Sequence, residues 1–320
     1  MSNLKDTFNK QGGLNLIKQY WQSGAFFTAV GEFLLLGKSR IALEILRLST
    51  HLKAKQKLEK KYKQCLKDFD SQWIEISHQL SNKVWICWFQ GIENAPEIVQ
   101  KCYESVKCNM PNKEIVLITE DNMLDYANFP EYILDKWKNG QISNTHMTDL
   151  LRLELLIKYG GMWLDATVYC SGSDIPEYFF NSDLFMFQSL KPGRDGHSHI
   201  TSSWLISAKS NNKILMAVRS LCYEYWKTHD SLIDYFLLHD FMAIVLEYYE
   251  DDWKKIVPRD NATPHILLLR LFDQFDEKMW NAIKSQTPFH KLTYKYGKEK
   301  TEMQGTYYSE IVEGKEYLFK

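Results

Sequence analysis

The stretch YGGMWLDATVYC, residues 159–170, passes from an apolar helix through two glycines into a strand, and it sets one carboxylate, Asp165, between Leu164 and Ala166. Upstream, residues 144–158 carry Leu150, Leu151, Leu153, Leu155, Leu156 and Ile157. They are apolar nearly all round, the pattern of a deeply packed helix. Gly160 and Gly161 stop that helix, and MWLDATVY reads as the strand that follows. A carboxylate beside a core strand is costly unless it is hydrogen-bonded, paired or metal-bound. At the carboxyl end of a parallel strand, Asp165 faces the crevice where open α/β sheets bind ligands, and there it can hold a hard divalent cation that neutralises a diphosphate. A structural aspartate capping the next turn is the alternative.

Working outward, strands alternate with helices. Val84–Phe89 is a short aromatic and β-branched run, and a helix over 97–108, a strand at 114–119 and the helical YILDKWKNG follow it. LFMFQS (184–189) and SWLISA (203–208) add strands around the loop KPGRDGHSHI, and residues 212–228 and 230–249 read as two helices. In the tail, PHILLLRLFDQF looks helical, whereas KLTYKYG and TEMQGTYYSEIVEG look like short strands or loops. Alternation of this kind indicates an α/β domain with a mostly parallel central sheet. Residues 13–75 read as helical throughout, which divides the chain into an N-terminal helical subdomain, 1–79, and an α/β domain, 80–320.

With 320 residues, 45% hydrophobic and 25% charged, the chain has the composition of a folded globular protein. Its net charge of -1 conceals a basic segment: residues 38–67 hold ten Lys or Arg against two Glu. That segment reads as a solvated helix face or as an attachment to anionic lipid headgroups, helped by the apolar GAFFTAVGEFLLLG (24–37). The apolar run falls short of the roughly 20 residues a membrane span needs, and Glu32 interrupts it. Nucleic acid is not the expected partner, because the rest of the chain is acidic and lacks a recognised motif. The six cysteines form no CxxC and no signal peptide leads the chain, so a reducing cytoplasm is expected. The missing GxGxxG and GxxxxGK[ST] disfavour a dehydrogenase and a P-loop enzyme.

Asp149 and Arg152 lie three apart and share one face of the apolar helix. They read either as an ion pair at a surface edge or as ligands, Asp149 for sugar hydroxyls and Arg152 for a phosphate or the same sugar. In IDYFLLHDFM, Asp234, His239 and Asp240 have near-helical spacing, and His197 and His199 sit on the glycine-containing loop.

The run SNTHMTDLLRLELLIKYGGMWLDATV (143–168) resembles the signature of bacterial capsular polysaccharide synthesis glycosyltransferases. These are relatives of the mannosyl- and galactosyltransferase group, which also resembles the sugar-transferring domains of large clostridial toxins. The likeness extends to VWICWFQG with Asn94 and Pro96, and to FHKLTYK (289–295), covering about residues 80–300. It implies a GT-A, Rossmann-like fold, a nucleotide-sugar donor with UDP-sugars favoured, Mn²⁺ or Mg²⁺, and hexose transfer with retention to a lipid-linked capsule oligosaccharide. On the same resemblance, Trp88, Phe89 and Gln90 border the base, and Asp149, Arg152 and Asp165 hold the donor sugar, ribose or diphosphate. Lys291 or Lys295 meets the diphosphate, Asp234 and His239 approach the sugars, and Asp165, Thr167 and His290 hold the metal. Thr167 stands where the group has a second aspartate, and a neutral hydroxyl binds a divalent ion less strongly. The alternatives are a non-catalytic sugar-nucleotide or glycan binder and a metal-dependent nucleotide-sugar hydrolase.

Overall fold

The computed structural model describes residues 13–190 and 199–313. The described chain begins with three helices, α1 (Leu14–Ser23), α2 (Phe26–Leu36) and α3 (Arg40–Gln72). The last of these runs 33 residues from an N-cap where the Ser39 hydroxyl accepts from the Ala42 N–H. It buries Leu46, Thr50, Ala54, Leu58, Tyr62 and Leu66, a four-residue spacing that turns one stripe inward and most of the lysines outward.

The α/β part proceeds through β1 (Lys83–Cys87), α4 (Glu97–Asn109), β2 (Glu114–Ile118), α5 (Glu131–Lys138), α6 (Asn144–Tyr159) and β3 (Gly161–Asp165). After these come β4 (Val168–Cys170), β5 (Leu184–Gln188), β6 (Thr201–Ala208), α7 (Lys213–Thr228) and α8 (Leu237–Tyr248). The C-terminal part holds α9 (Glu277–Lys284), β7 (Phe289–Lys291) and α10 (Tyr307–Glu313). Five strands form the main sheet in the order β2-β1-β3-β6-β5. β1 is parallel to β2 and β3, and β6 is antiparallel to β3 and β5, so four of the five strands run the same way. The sheet is therefore mixed, mostly parallel in direction.

Both faces of the sheet are covered, which explains why its strands read as near-continuous apolar runs. Trp85, Trp163, Met186 and Ile206 pack toward α3, α6, α7 and α8. Val84, Ile86, Leu164 and Leu205 pack toward α4 and the C-terminal elements, Trp280 and Phe289 among them. The helical N-terminus joins the first of these cores, because Leu58, Tyr62 and Leu66 of α3 belong to it.

The diglycine turn is set by close backbone approach. Gly160 and Gly161 have φ of 69° and 95°. A Cβ at Gly161 would stand 2.3 Å from the Lys83 carbonyl oxygen, so only glycine fits between the two strands. Trp85 Nε1 donates to the Gly160 carbonyl at 2.9 Å and pins the turn to β1.

Three segments differ from the sequence expectation. MWLDATVY is not one strand: the chain leaves the main sheet after Asp165, turns at Ala166 and Thr167, and pairs Val168–Cys170 antiparallel with Phe289–Lys291. Residues 230–236 precede α8 instead of forming its start, because the Asp234 carboxylate accepts from the Phe236 N–H at 2.7 Å and closes a local turn. TEMQGTYYSEIVEG contributes a helix, α10, where short strands or loops are expected.

Candidate functional site

β1 leads outward to β2, and β3 returns on the opposite side of β1, so the chain changes direction between β1 and β3. Ligands in open α/β sheets bind at such a point, outside the carboxyl ends of the strands. Cys87 and Asp165, the last residues of β1 and β3, are paired across it. A cavity of about 620 Å³ opens there, a size suited to a nucleotide-sized ligand.

The departure of the chain from the sheet at Asp165 turns the apparent core aspartate into a cavity residue, its side chain 28% exposed. Both carboxylate oxygens are engaged. Oδ1 accepts from Trp163 Nε1 at 3.0 Å and lies 3.4 Å from Arg152 Nη2. Oδ2 lies 3.3 Å from Lys291 Nζ, which also donates to Thr167 Oγ1. The paired ribbon of β4 and β7 makes this meeting, since Val168 stands opposite Lys291.

Arg152 links this pair to the helix, its side chain only 5% exposed. Its Nη2 lies 3.1 Å from Asp149 Oδ1, its Nη1 donates to the Ser203 carbonyl, and its guanidinium lies 5.0 Å from the centre of the Trp163 ring. Such pairing offsets the cost of burying a guanidinium. Asp149 also meets His146 Nδ1 at 3.3 Å. Burial pushes the Asp149 carboxyl up, but the Arg152 charge and the His146 hydrogen bond outweigh it and hold the group below its ordinary range. The result is a line of alternating charge, Asp149, Arg152, Asp165 and Lys291, whose Arg152, Asp165 and Lys291 line the cavity.

Trp88, Phe89, Gln90, Thr167 and Lys295 also line it. The Trp88 ring meets Tyr294 edge-on at 5.5 Å, an aromatic surface for a planar base. Asp149 stands behind Arg152. Asp234 lines a different cavity, beside α1 and α3. His239 lies behind the site, its Nδ1 buried without a hydrogen-bond partner among the described residues. Burial, reinforced by the His199 charge, pushes its imidazole down to about 3. His199 stacks on His51 at 4.7 Å and meets Asp240 at 3.1 Å. His197 lies outside the described residues.

His290 is not brought to Asp165. Alternation along β7 sends it to the face opposite Lys291. There it is fully buried beside Tyr169 and Trp280, with Nε2 at 2.9 Å from Ser171 Oγ. Burial pushes this imidazole down to about 3. A divalent cation wants several oxygen or imidazole ligands free to converge on it. Here the Asp165 and Thr167 oxygens converge on the Lys291 ammonium, and no cluster of three His, Cys, Asp or Glu suits a metal among the described residues. Of the three residues expected to hold a metal, the structure brings Asp165 and Thr167 together at Lys291 and turns His290 away from them.

Three contributors escape the sequence reading. Trp163 shares a strand face with Asp165 two positions on, and His146 shares a helix face with Asp149, so periodicity alone points to both. Tyr235 lines the cavity from the turn before α8, and no local pattern places it there.

The sequence matches a family model described as "Capsular polysaccharide synthesis protein" over residues 40–311. Over 105 residues it is 30% identical to the O-glycosyltransferase braB of Annulohypoxylon truncatum, a match covering 29% of this chain and 25% of that protein. The chain thus spans about a quarter of the length of this curated relative. A solved structure titled PaToxG Glycosyltransferase aligns with a TM-score of 0.37 at 13% identity, covering 81% of this chain and 94% of that one.

Proposed function

The chain belongs to the capsular polysaccharide synthesis protein family, and from that premise we propose that it is a glycosyltransferase of the GT-A type. It moves a hexose from a nucleotide sugar, a UDP-sugar being favoured, to a lipid-linked capsule oligosaccharide with retention at the anomeric carbon. The observation that carries this reading is the convergence of Arg152, Lys291 and Asp165 in a cavity at the carboxyl ends of β1 and β3. Cations aimed at a diphosphate beside a carboxylate that can accept sugar hydroxyls are what such a donor requires.

In this mechanism Trp88 and Phe89 border the base, and Lys291, Lys295 and Arg152 meet the diphosphate. Asp149 keeps Arg152 in position while Asp165 accepts from the donor's hydroxyls. The bond between the anomeric carbon and the diphosphate oxygen breaks, and its electron pair leaves with the phosphate. The acceptor oxygen bonds to the same face of the sugar, and its proton passes to the departing phosphate. Charge grows on the leaving oxygen in the transition state, so fixed ammonium and guanidinium groups there stabilise the step selectively.

Attachment at a membrane surface is part of the reading. On α2, Phe27, Leu34 and Leu35 are 77%, 76% and 86% exposed, and the lysine-rich α3 follows. An apolar helix face beside basic residues suits an anionic lipid surface. Among the described residues no helix is long and apolar enough to cross a membrane.

The test is a panel of UDP- and GDP-sugars incubated with and without lipid-linked acceptor while nucleotide release is followed. Acceptor-dependent release supports transfer. Release that ignores the acceptor indicates hydrolysis, and binding without release indicates a non-catalytic binder.

A further inference from the structure

A second cavity, of about 370 Å³, lies between α1, α3 and the turn that precedes α8. Tyr235 lines both this cavity and the one at Asp165, so the two adjoin at its side chain. On the donor side, its ring stands 5.5 Å from that of His146, the neighbour of Asp149. On the other side, the next residue, Phe236, meets the His51 ring at 5.2 Å.

The lining of the second cavity has the chemistry of a sugar site. Asp234 is buried there, with Oδ1 occupied by the Phe236 N–H and Oδ2 3.8 Å from His51 Nε2, beyond hydrogen-bond distance. That oxygen keeps lone pairs for a hydroxyl donor. Gln19 and Arg47 add N–H groups that a hydroxyl oxygen can accept from, Thr50 Oγ1, whose proton goes to the Arg47 carbonyl at 3.0 Å, can accept from a sugar hydroxyl, and Tyr235 and Phe236 supply flat apolar faces for a ring's C–H groups. Arg47 is the one Lys or Arg among the described residues of the lining, too little positive charge for a second diphosphate. Ser23 lines the cavity as the last residue of α1, and the exposed apolar helix α2 begins at Phe26. The cavity therefore lies close in the chain to the surface suited to lipid, where a tethered oligosaccharide would arrive.

We propose that this second cavity is the acceptor subsite: it takes a neutral sugar ring of the growing oligosaccharide, with Asp234 accepting from a ring hydroxyl and Tyr235 forming the wall across which donor and acceptor meet. The assignment rests on the transferase reading and adds to it the place and chemistry of the acceptor.

Saturation-transfer NMR tests it on the full chain held with UDP. Methyl glycosides of glucose, galactose, mannose and N-acetylglucosamine, with their disaccharides, serve as probes. At least one glycoside gives a signal in the UDP-bound wild type, and Gln19→Trp and Thr50→Trp, which fill the cavity, each reduce it by about tenfold. The UDP signal persists in both variants, which also shows that they fold. Asp234→Asn weakens the glycoside without displacing UDP. A glycoside signal that survives both fillings, or none in the UDP-bound wild type, overturns the acceptor assignment and leaves the donor site standing. A wild type that binds neither UDP nor GDP overturns the transferase reading, and this one falls with it.

Discussion

Lys291 Nζ lies 3.3 Å from Asp165 Oδ2 and donates to Thr167 Oγ1, so the two oxygens of the DAT segment share an ammonium as their cation. On the proposed reading, this ammonium supplies part of the charge that a metal would bring to the diphosphate. UDP should bind with a similar Kd in EDTA and in Mn²⁺. Lys291→Met should weaken it by about 10- to 100-fold, the loss of one charge-assisted hydrogen bond worth about 1.5–3 kcal/mol. Isothermal calorimetry under the two conditions measures both effects. Binding that appears only with Mn²⁺ would show that the ammonium gives way to an ion.

Asp149 sets a pH dependence with a definite sign. Its folded-state carboxyl lies below its ordinary value because Arg152 and His146 outweigh burial. As pH falls, the unfolded chain takes up this proton first. The stabilisation is complete above about pH 4 and is lost as pH drops through the folded value. Asp149→Asn should therefore lower stability at neutral pH by about 2 kcal/mol, roughly one hydrogen bond to a charged group. The wild-type and variant Tm curves should converge below pH 4. Curves that stay parallel to the acid limit would contradict the pairing.

Among the described glycines, Gly161 is the one whose added Cβ would come closest to fixed backbone. Its φ of 95° is strained for any L-residue, and a Cβ would stand 2.3 Å from the Lys83 carbonyl oxygen in the neighbouring strand. Gly161→Ala should cost about 3 kcal/mol or more, combining left-handed strain with a backbone clash that nothing flexible can relieve. Thermal unfolding monitored by circular dichroism reads this directly. Gly172→Ala, with open space around it, is the control expected to match wild type.

The parts legible in the sequence are those whose information is local. The glycines, the carboxylate after them and the Asp149–Arg152 spacing all lie within 25 residues and obey helix or strand periodicity. The meeting of Lys291 with Asp165 joins β7 to the segment around β3 across 126 positions, and only the ribbon of β4 and β7 brings it about. The orientation of His290 is hidden for the same reason: next to Lys291 in sequence, it faces the other way once the strand exists. Near-helical spacing puts Asp234 on a helix, but its own carboxylate caps the turn that delays that helix to Leu237. That shift sends it to the second cavity.

The surface of α2 carries the last expectation. Phe27, Leu34 and Leu35 stand outward where water meets them in the described fold. Burying a large apolar side chain is worth about 1.5–3 kcal/mol, so three together can hold a protein at a lipid interface when basic residues draw it to anionic headgroups. Replacing all three by Ser should reduce partition onto vesicles containing phosphatidylglycerol by about 100-fold. UDP binding should stay unchanged, because none of the three lines the cavity at Asp165. Added salt should weaken wild-type partition as it screens the lysines of α3. Sedimentation with vesicles gives both numbers, and a triple variant that still pellets as wild type does would remove α2 from the membrane contact.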